Sequence, residues 1–210
     1  MLKRSQVIAI VVVLAGVVAG LAYMTYVAGQ KRSQQRQVQE VVRDTTDRLR
    51  QVLSAKTAPD MVAALDANVK AARAPRDPRL ADAAEQYIVG AREVARRRTE
   101  IEKLTRQAAT SRQALAGHMA RAASRNDAWM RDALAIKKRV EDDHFHLGVA
   151  LKALDEILYT MPEAEKALAA HVGRDMLIEA TLRESARKQA QDEMRRATDD
   201  LERARRIQLR

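Results

Sequence analysis

Cysteine is absent from the 210-residue chain. Disulfides, thiolate nucleophiles and cysteine-type zinc sites are absent with it. Aromatic side chains make up only 3% of the residues, so any core has to be assembled from aliphatic and small side chains. Tyr87 and Trp129 stand apart from other aromatics, and the stacking surface that single-stranded nucleic acid needs is therefore missing. Seven glycines and four prolines are too few for a chain rich in tight turns. Nor do alternating apolar and polar segments recur at the short spacing of a sandwich or barrel. There is no glycine-rich phosphate loop, no Ser/His/Asp grouping and no pair of acids in contrasting settings. These absences lead to a non-enzymatic reading with no cofactor.

What is present begins with one apolar run. Residues 7–29, VIAIVVVLAGVVAGLAYMTYVAG, carry no charge over 23 positions. At about 1.5 Å per residue this is longer than the roughly 30 Å of a bilayer's hydrocarbon core. Lys3 and Arg4 flank it on one side and Lys31 and Arg32 on the other, while Tyr23 and Tyr26 fall where interfacial aromatics sit. A single transmembrane helix is expected, since a cleaved leader has a shorter apolar run and a small-residue cleavage site. Gly16 and Gly20 form a GxxxG shadowed by Ala15 and Ala19, a pattern that permits close helix approach and self-association in lipid. The positive charges following the span favour a cytoplasmic body. The short charged leader favours the opposite, and long domains translocate largely regardless of charge. The expectation adopted is an inner-membrane protein of bacterial type with its N-terminus inside and its body periplasmic.

Beyond the span, Val38, Val42, Thr45, Leu49 and Val52 recur at alternating spacings of four and three, which predicts that the membrane helix continues as a stalk over 30–56. Thr57-Ala58-Pro59-Asp60 has the hydroxyl, proline and acid of a helix start, and at the end of the APRDP linker (74–78) Asp77 caps and Pro78 opens the next helix. One heptad frame then holds Leu80, Ala84, Tyr87, Ala91, Val94, Arg98, Ile101, Ala108, Leu115, Met119 and Ala122. A break at SRND (124–127) precedes a further seam of Trp129, Leu134, Ile136, Val140, Leu147, Leu151, Leu154 and Leu158. Thr160-Met161-Pro162-Glu163 reads as another start, opening a last helix with Ile178, Leu182, Ala186, Ala190, Met194, Ala197, Leu201 and Ala204 on its seam. The fold class is all-α: a short basic tail over 1–6, an anchor over 7–29, a stalk over 30–56, and an elongated antiparallel helical bundle or coiled-coil body over 57–210. Seams so rich in alanine bury little area per residue, so completion by a partner or a second copy is expected.

Two features resemble chemistry without carrying it. In EDDHFHLG (141–148), His144 and His146 lie two apart and diverge by about 200° on a regular helix, so they cannot share one metal ion. Two ligands also fall short of a zinc site. No metal is expected, and the stretch reads as a solvated acidic face.

The net charge of +10 points to anionic lipid or nucleic acid. Yet Glu179–Arg183, Glu184–Lys188, Asp192–Arg196, Asp199–Arg203 and Glu202–Arg206 are placed for i,i+4 support in the last helix. The remaining excess lies at 31–36, at IKKR (136–139) and at REVARRR, where Arg92, Arg96, Arg97 and Arg98 form a candidate contact patch. Lipid suits the juxtamembrane cluster better than nucleic acid.

The resulting reading is a membrane-anchored scaffold that docks a protein partner or itself. A ligand-sensing bundle, which would need a polar-lined cavity, and a cytoplasm-facing basic tether for lipid or nucleic acid are the alternatives.

Overall fold

The computed structural model describes residues 4–55, 60–75, 77–121 and 126–207, with the backbone alone for 4–22 and 31. Among the described residues five α-helices follow one another: α1 Arg4–Ser54, α2 Val62–Ala72, α3 Pro78–Ala120, α4 Asp127–Val172 and α5 Ala180–Arg206, with one 3-10 turn, Arg174–Met176, before the last. Among the described residues there is no strand. The architecture is all-α, with bundle-like packing of the helices.

The apolar run and the stalk belong to one unbroken helix, α1. Among the described residues no helix is long and apolar enough to cross a membrane. The side chains of 7–22, most of the apolar run, lie outside the described residues, and Gly16 and Gly20 with them. Past residue 37 the expected seam is in place, with Val38, Val42, Thr45, Leu49 and Val52 all buried.

Asp77 caps α3 as its sequence demands, accepting from the backbone N–H of Arg79 and Leu80, with Pro78 in the first turn. Asn126 does the same for α4 through the Trp129 N–H. The first start signal is displaced: α2 begins at Val62, where the Asp60 carboxylate accepts the backbone N–H at 3.3 Å. Thr57 and Pro59 lie outside the described residues.

The Thr160–Glu163 signal does not start a helix, because α4 runs straight through Pro162 to Val172. An interior proline costs a helix about 3 kcal/mol. Around it Leu158, Met161, Leu168 and Val172 are buried, each contributing roughly 1.5–3 kcal/mol. Packing outweighs the local defect. The chain turns instead at Gly173, whose φ of 94° is open to glycine. Ile178, expected on the last helix, is buried in the extended link before α5.

In the bundle α4 is central, and α3 and α5 flank it without packing on one another. α3 and α4 are antiparallel: Met161 lies opposite Gly90, and at the far end the rings of His118 and Trp129 stack 5.1 Å apart. The stalk half of α1 lies in the furrow between α3 and α5. The main core joins α1 to α5, whereas Leu115, Val140 and Ala204 form a separate small cluster near the distal end.

Candidate docking groove

α1 is held in the furrow by polar contacts as well as by its seam. The buried Tyr87 hydroxyl of α3 donates to Thr46 Oγ1 at 2.8 Å, and Thr46 Oγ1 donates in turn to the Met176 carbonyl at 2.9 Å. Burial pushes the Tyr87 phenol up to about 12, the Thr46 hydrogen bond opposes that, and the nearby Glu165 charge adds to it. Arg50 grips the Glu179 carboxylate at 2.8 and 3.1 Å. Its guanidinium holds Glu179 below the usual carboxylate range. Deeper in, Arg183 Nη1 bridges both Glu165 oxygens at 2.5 and 2.6 Å with both side chains buried.

α1 ends at Ser54, and Arg98 Nη2 of α3 donates to the carbonyl of Ala55 at 3.1 Å. The furrow does not end there. From Arg98 to Ala116 along α3, and from Gln189 to Asp200 along α5, it continues as an open groove of about 690 Å³. Ile101 and Ala108 of α3, Leu147 and Leu151 of α4, and Ala197 of α5 make its apolar floor. Thr105, Ala109 and Ala116 keep the α3 bank low.

Charges line both banks. Glu102 pairs with Arg106, and Arg112 reaches across from α3 to Asp200 of α5 at 2.8 Å. Glu193 accepts from the Gln189 side-chain amide at 2.9 Å.

His144 sits at the bottom of this groove. It is buried, not on a solvated face as its acidic neighbours suggested. Its Nδ1 lies 2.8 Å from the Val140 carbonyl, which can only accept, so Nδ1 carries the hydrogen and Nε2 faces Asp200 Oδ2 at 3.8 Å. His146 points away and is exposed, with its own Nδ1 on the Asp142 carbonyl at 2.7 Å. The two rings diverge as helical geometry requires. Among the described residues no three histidine, aspartate or glutamate side chains are grouped to hold a metal ion.

The other residues singled out by sequence are dispersed. Tyr23 and Tyr26 are exposed on α1, and Gln30 donates to the Tyr26 hydroxyl at 2.7 Å. Arg32 is exposed, and the Lys31 side chain lies outside the described residues. Within REVARRR, Arg92 pairs with Asp66 and Glu93, Arg97 pairs with Glu100, and Arg98 is spent on Ala55; Arg96 is exposed. The four do not form one face.

Of the five i,i+4 pairs expected on the last helix, Glu202–Arg206 forms. Glu179 and Arg183 instead turn to α1 and α4, Glu184 takes Arg187, and Arg203 takes Asp200. Leu134, expected on a core seam, is 53% exposed. The groove itself was missed because its walls come from three helices far apart in sequence. The available signal was Thr105 and Arg112 falling in the frame between Ile101, Ala108 and Leu115, polar where the seam is otherwise apolar. Comparison with known proteins finds no matching family model, no matching curated protein and no matching solved structure.

Proposed function

We propose that this is a single-pass, membrane-anchored docking protein of a bacterial-type envelope. In this reading residues 7–29 form the anchor, α1 carries on as a stalk, and the bundle offers the groove between α3 and α5 to a partner helix. It performs no chemistry of its own. The 23 uncharged residues are long enough for a bilayer, and the exposed Tyr23, Tyr26 and Arg32 lie at the end of the run where an interface would be. Gly16 and Gly20 would bring two anchors together.

The observation that carries the docking role is the continuity of the furrow. Its proximal half is filled by α1 as far as Ala55, while no described residue fills its distal half, which has walls from the same helices and a floor of leucine, isoleucine and alanine. The size of the groove and the His144 imidazole at its bottom also suit the ligand-sensing alternative, with a small amphiphile as the ligand.

Site-specific photocrosslinking in cells tests the reading. A photoreactive residue at Ala109, inside the groove, should give discrete protein adducts in the membrane fraction, whereas one at Arg96, exposed on α3 outside the groove, should not. Equal labelling from both positions, or none from Ala109, would overturn it. Fusing at residue 210 a reporter active only outside the cytoplasm, and separately one fluorescent only inside, fixes orientation, with the outside signal expected.

A further inference from the structure

The face of α4 turned away from the groove carries the exposed apolar side chains of the bundle. Leu134, Phe145, Val149 and Tyr159 are each more than half exposed, and the other large hydrophobics so exposed among the described residues, Tyr23, Met24 and Tyr26, are on α1. The four fall on one stripe with the exposed Arg131, Lys138, Asp142, Lys152, Glu156 and Glu163. Successive members are three or four residues apart, so the stripe keeps to one side of the helix for about 48 Å.

The charges read plus, plus, minus on one side of Phe145 and Val149, and plus, minus, minus on the other. Turning the stripe end over end about its midpoint at Leu147 therefore sets every charge against its opposite. Arg131 meets Glu163, Lys138 meets Glu156, Asp142 meets Lys152 and Phe145 meets Val149, while Leu134 falls beside Tyr159. A parallel pair in register would set each charge against itself. Within the chain, Lys152 and Glu156 make a loose exposed pair at 3.8 Å, and Arg187 of α5 lies over the Tyr159 ring at 4.9 Å. The other ion pairs of α4 come from Lys137, Glu141, His144, Asp155 and Glu165. Among the described residues Arg131, Lys138, Asp142 and Glu163 are left without one.

We infer that this face is a self-association surface: two copies pair through α4, antiparallel about a twofold axis near Leu147, with Phe145 and Val149 at the centre and opposite charges meeting on either side of them. A strip about 48 Å by 10 Å covers roughly 500 Å² on each copy, the scale of a reversible pair rather than an obligate one. Gln35 of α1 donates to the His171 carbonyl at the C-terminal end of α4, and from there α1 climbs to Ala55 beside Arg98 of α3. Residues 7–29 thus project beyond the C-terminal end of α4, and the twofold sends the two copies' runs in opposite directions. Resting on the anchor reading above, the pair joins copies in facing bilayers, whereas Gly16 and Gly20 act between neighbours in one.

The chain has no cysteine, so introduced thiols report this contact without background. The full chain in detergent micelles, carrying Gly16→Ile and Gly20→Ile to remove pairing of the anchors, is oxidised as single-cysteine variants. Leu134→Cys and Thr160→Cys should give a disulfide dimer only when mixed, because these positions meet in the antiparallel pair while each lies about 39 Å along the helix from its own copy. Lys138→Glu, which sets carboxylates against Glu156 twice over by symmetry, should raise the dissociation constant measured by sedimentation at least about tenfold and leave the thermal midpoint unchanged. Adding Glu156→Lys to it should restore the pair. Vesicles bearing the chain with its anchor intact should cluster, and those bearing Lys138→Glu should not.

A disulfide dimer from Leu134→Cys alone would mean a parallel pair, and a chain still monomeric at about 100 µM would mean none. Either result overturns the inference and leaves the groove reading untouched. No rescue by the charge swap would overturn the register, and dimers in micelles without clustered vesicles would overturn the facing-bilayer arrangement.

Discussion

Tyr87→Phe tests the polar node that seats α1 in the furrow and so leaves the distal groove open. The phenol donates to the buried Thr46 Oγ1 at 2.8 Å, and Thr46 passes its own hydrogen on to the Met176 carbonyl. Removing its oxygen leaves the buried Thr46 oxygen without its donor, at a cost of about 1–3 kcal/mol. For a chain of this size, a loss of about 2 kcal/mol lowers the thermal midpoint by about 4–8 °C.

A second consequence concerns pH. Folding moves this phenol from an ordinary value of 10 up to about 12, a difference worth about 3 kcal/mol. Because the folded value is the higher one, the contribution is complete below pH 10 and is lost as pH rises towards 12. Roughly half is gone by about pH 11. Urea midpoints followed by helical ellipticity between pH 7 and 11.5 should therefore show wild type well ahead of Tyr87→Phe at neutral pH. The gap should close in alkali, since lysines and the remaining tyrosines titrate alike in both chains. A gap that stays constant from pH 9 to 11.5 would refute the assignment.

Two further perturbations probe the same junction. Arg183→Met leaves the Glu165 carboxylate buried without its cation and should destabilise the protein by about 3–5 kcal/mol. The double change Arg183→Met with Glu165→Met should recover most of that in the same denaturation assay, and no recovery would mean that the pair is not the source of the loss. At Gly173, φ is 94° and an added Cβ would lie 2.7 Å from Asp175 Oδ1. Gly173→Ala should thus cost about 1–3 kcal/mol. Gly90→Ala, whose Cβ would meet Met161 at an ordinary 3.6 Å, should be tolerated, and equal melting of the two variants would contradict the argument.

The sequence by itself determined the helical class, the seams and two of the caps, because these are written in local periodicity. Val38 to Val52 and Leu80 to Val94 repeat at three and four residues, and burial follows that repeat. Asp77-Pro78 and Asn126 satisfy end groups within their own turn. Tertiary structure decided where local signals and packing compete. Pro162 reads as a boundary until the side chains around it are found buried against neighbouring helices. Glu179 and Arg183 read as a helical pair until each meets a closer opposite charge on another helix. His144 reads as solvent-facing until α5 places Asp200 beside it. The groove belongs wholly to this second kind. It exists because α1 stops beside Arg98 while α3, α4 and α5 run on, and where one helix ends against three others depends on how they pack together rather than on any of them alone.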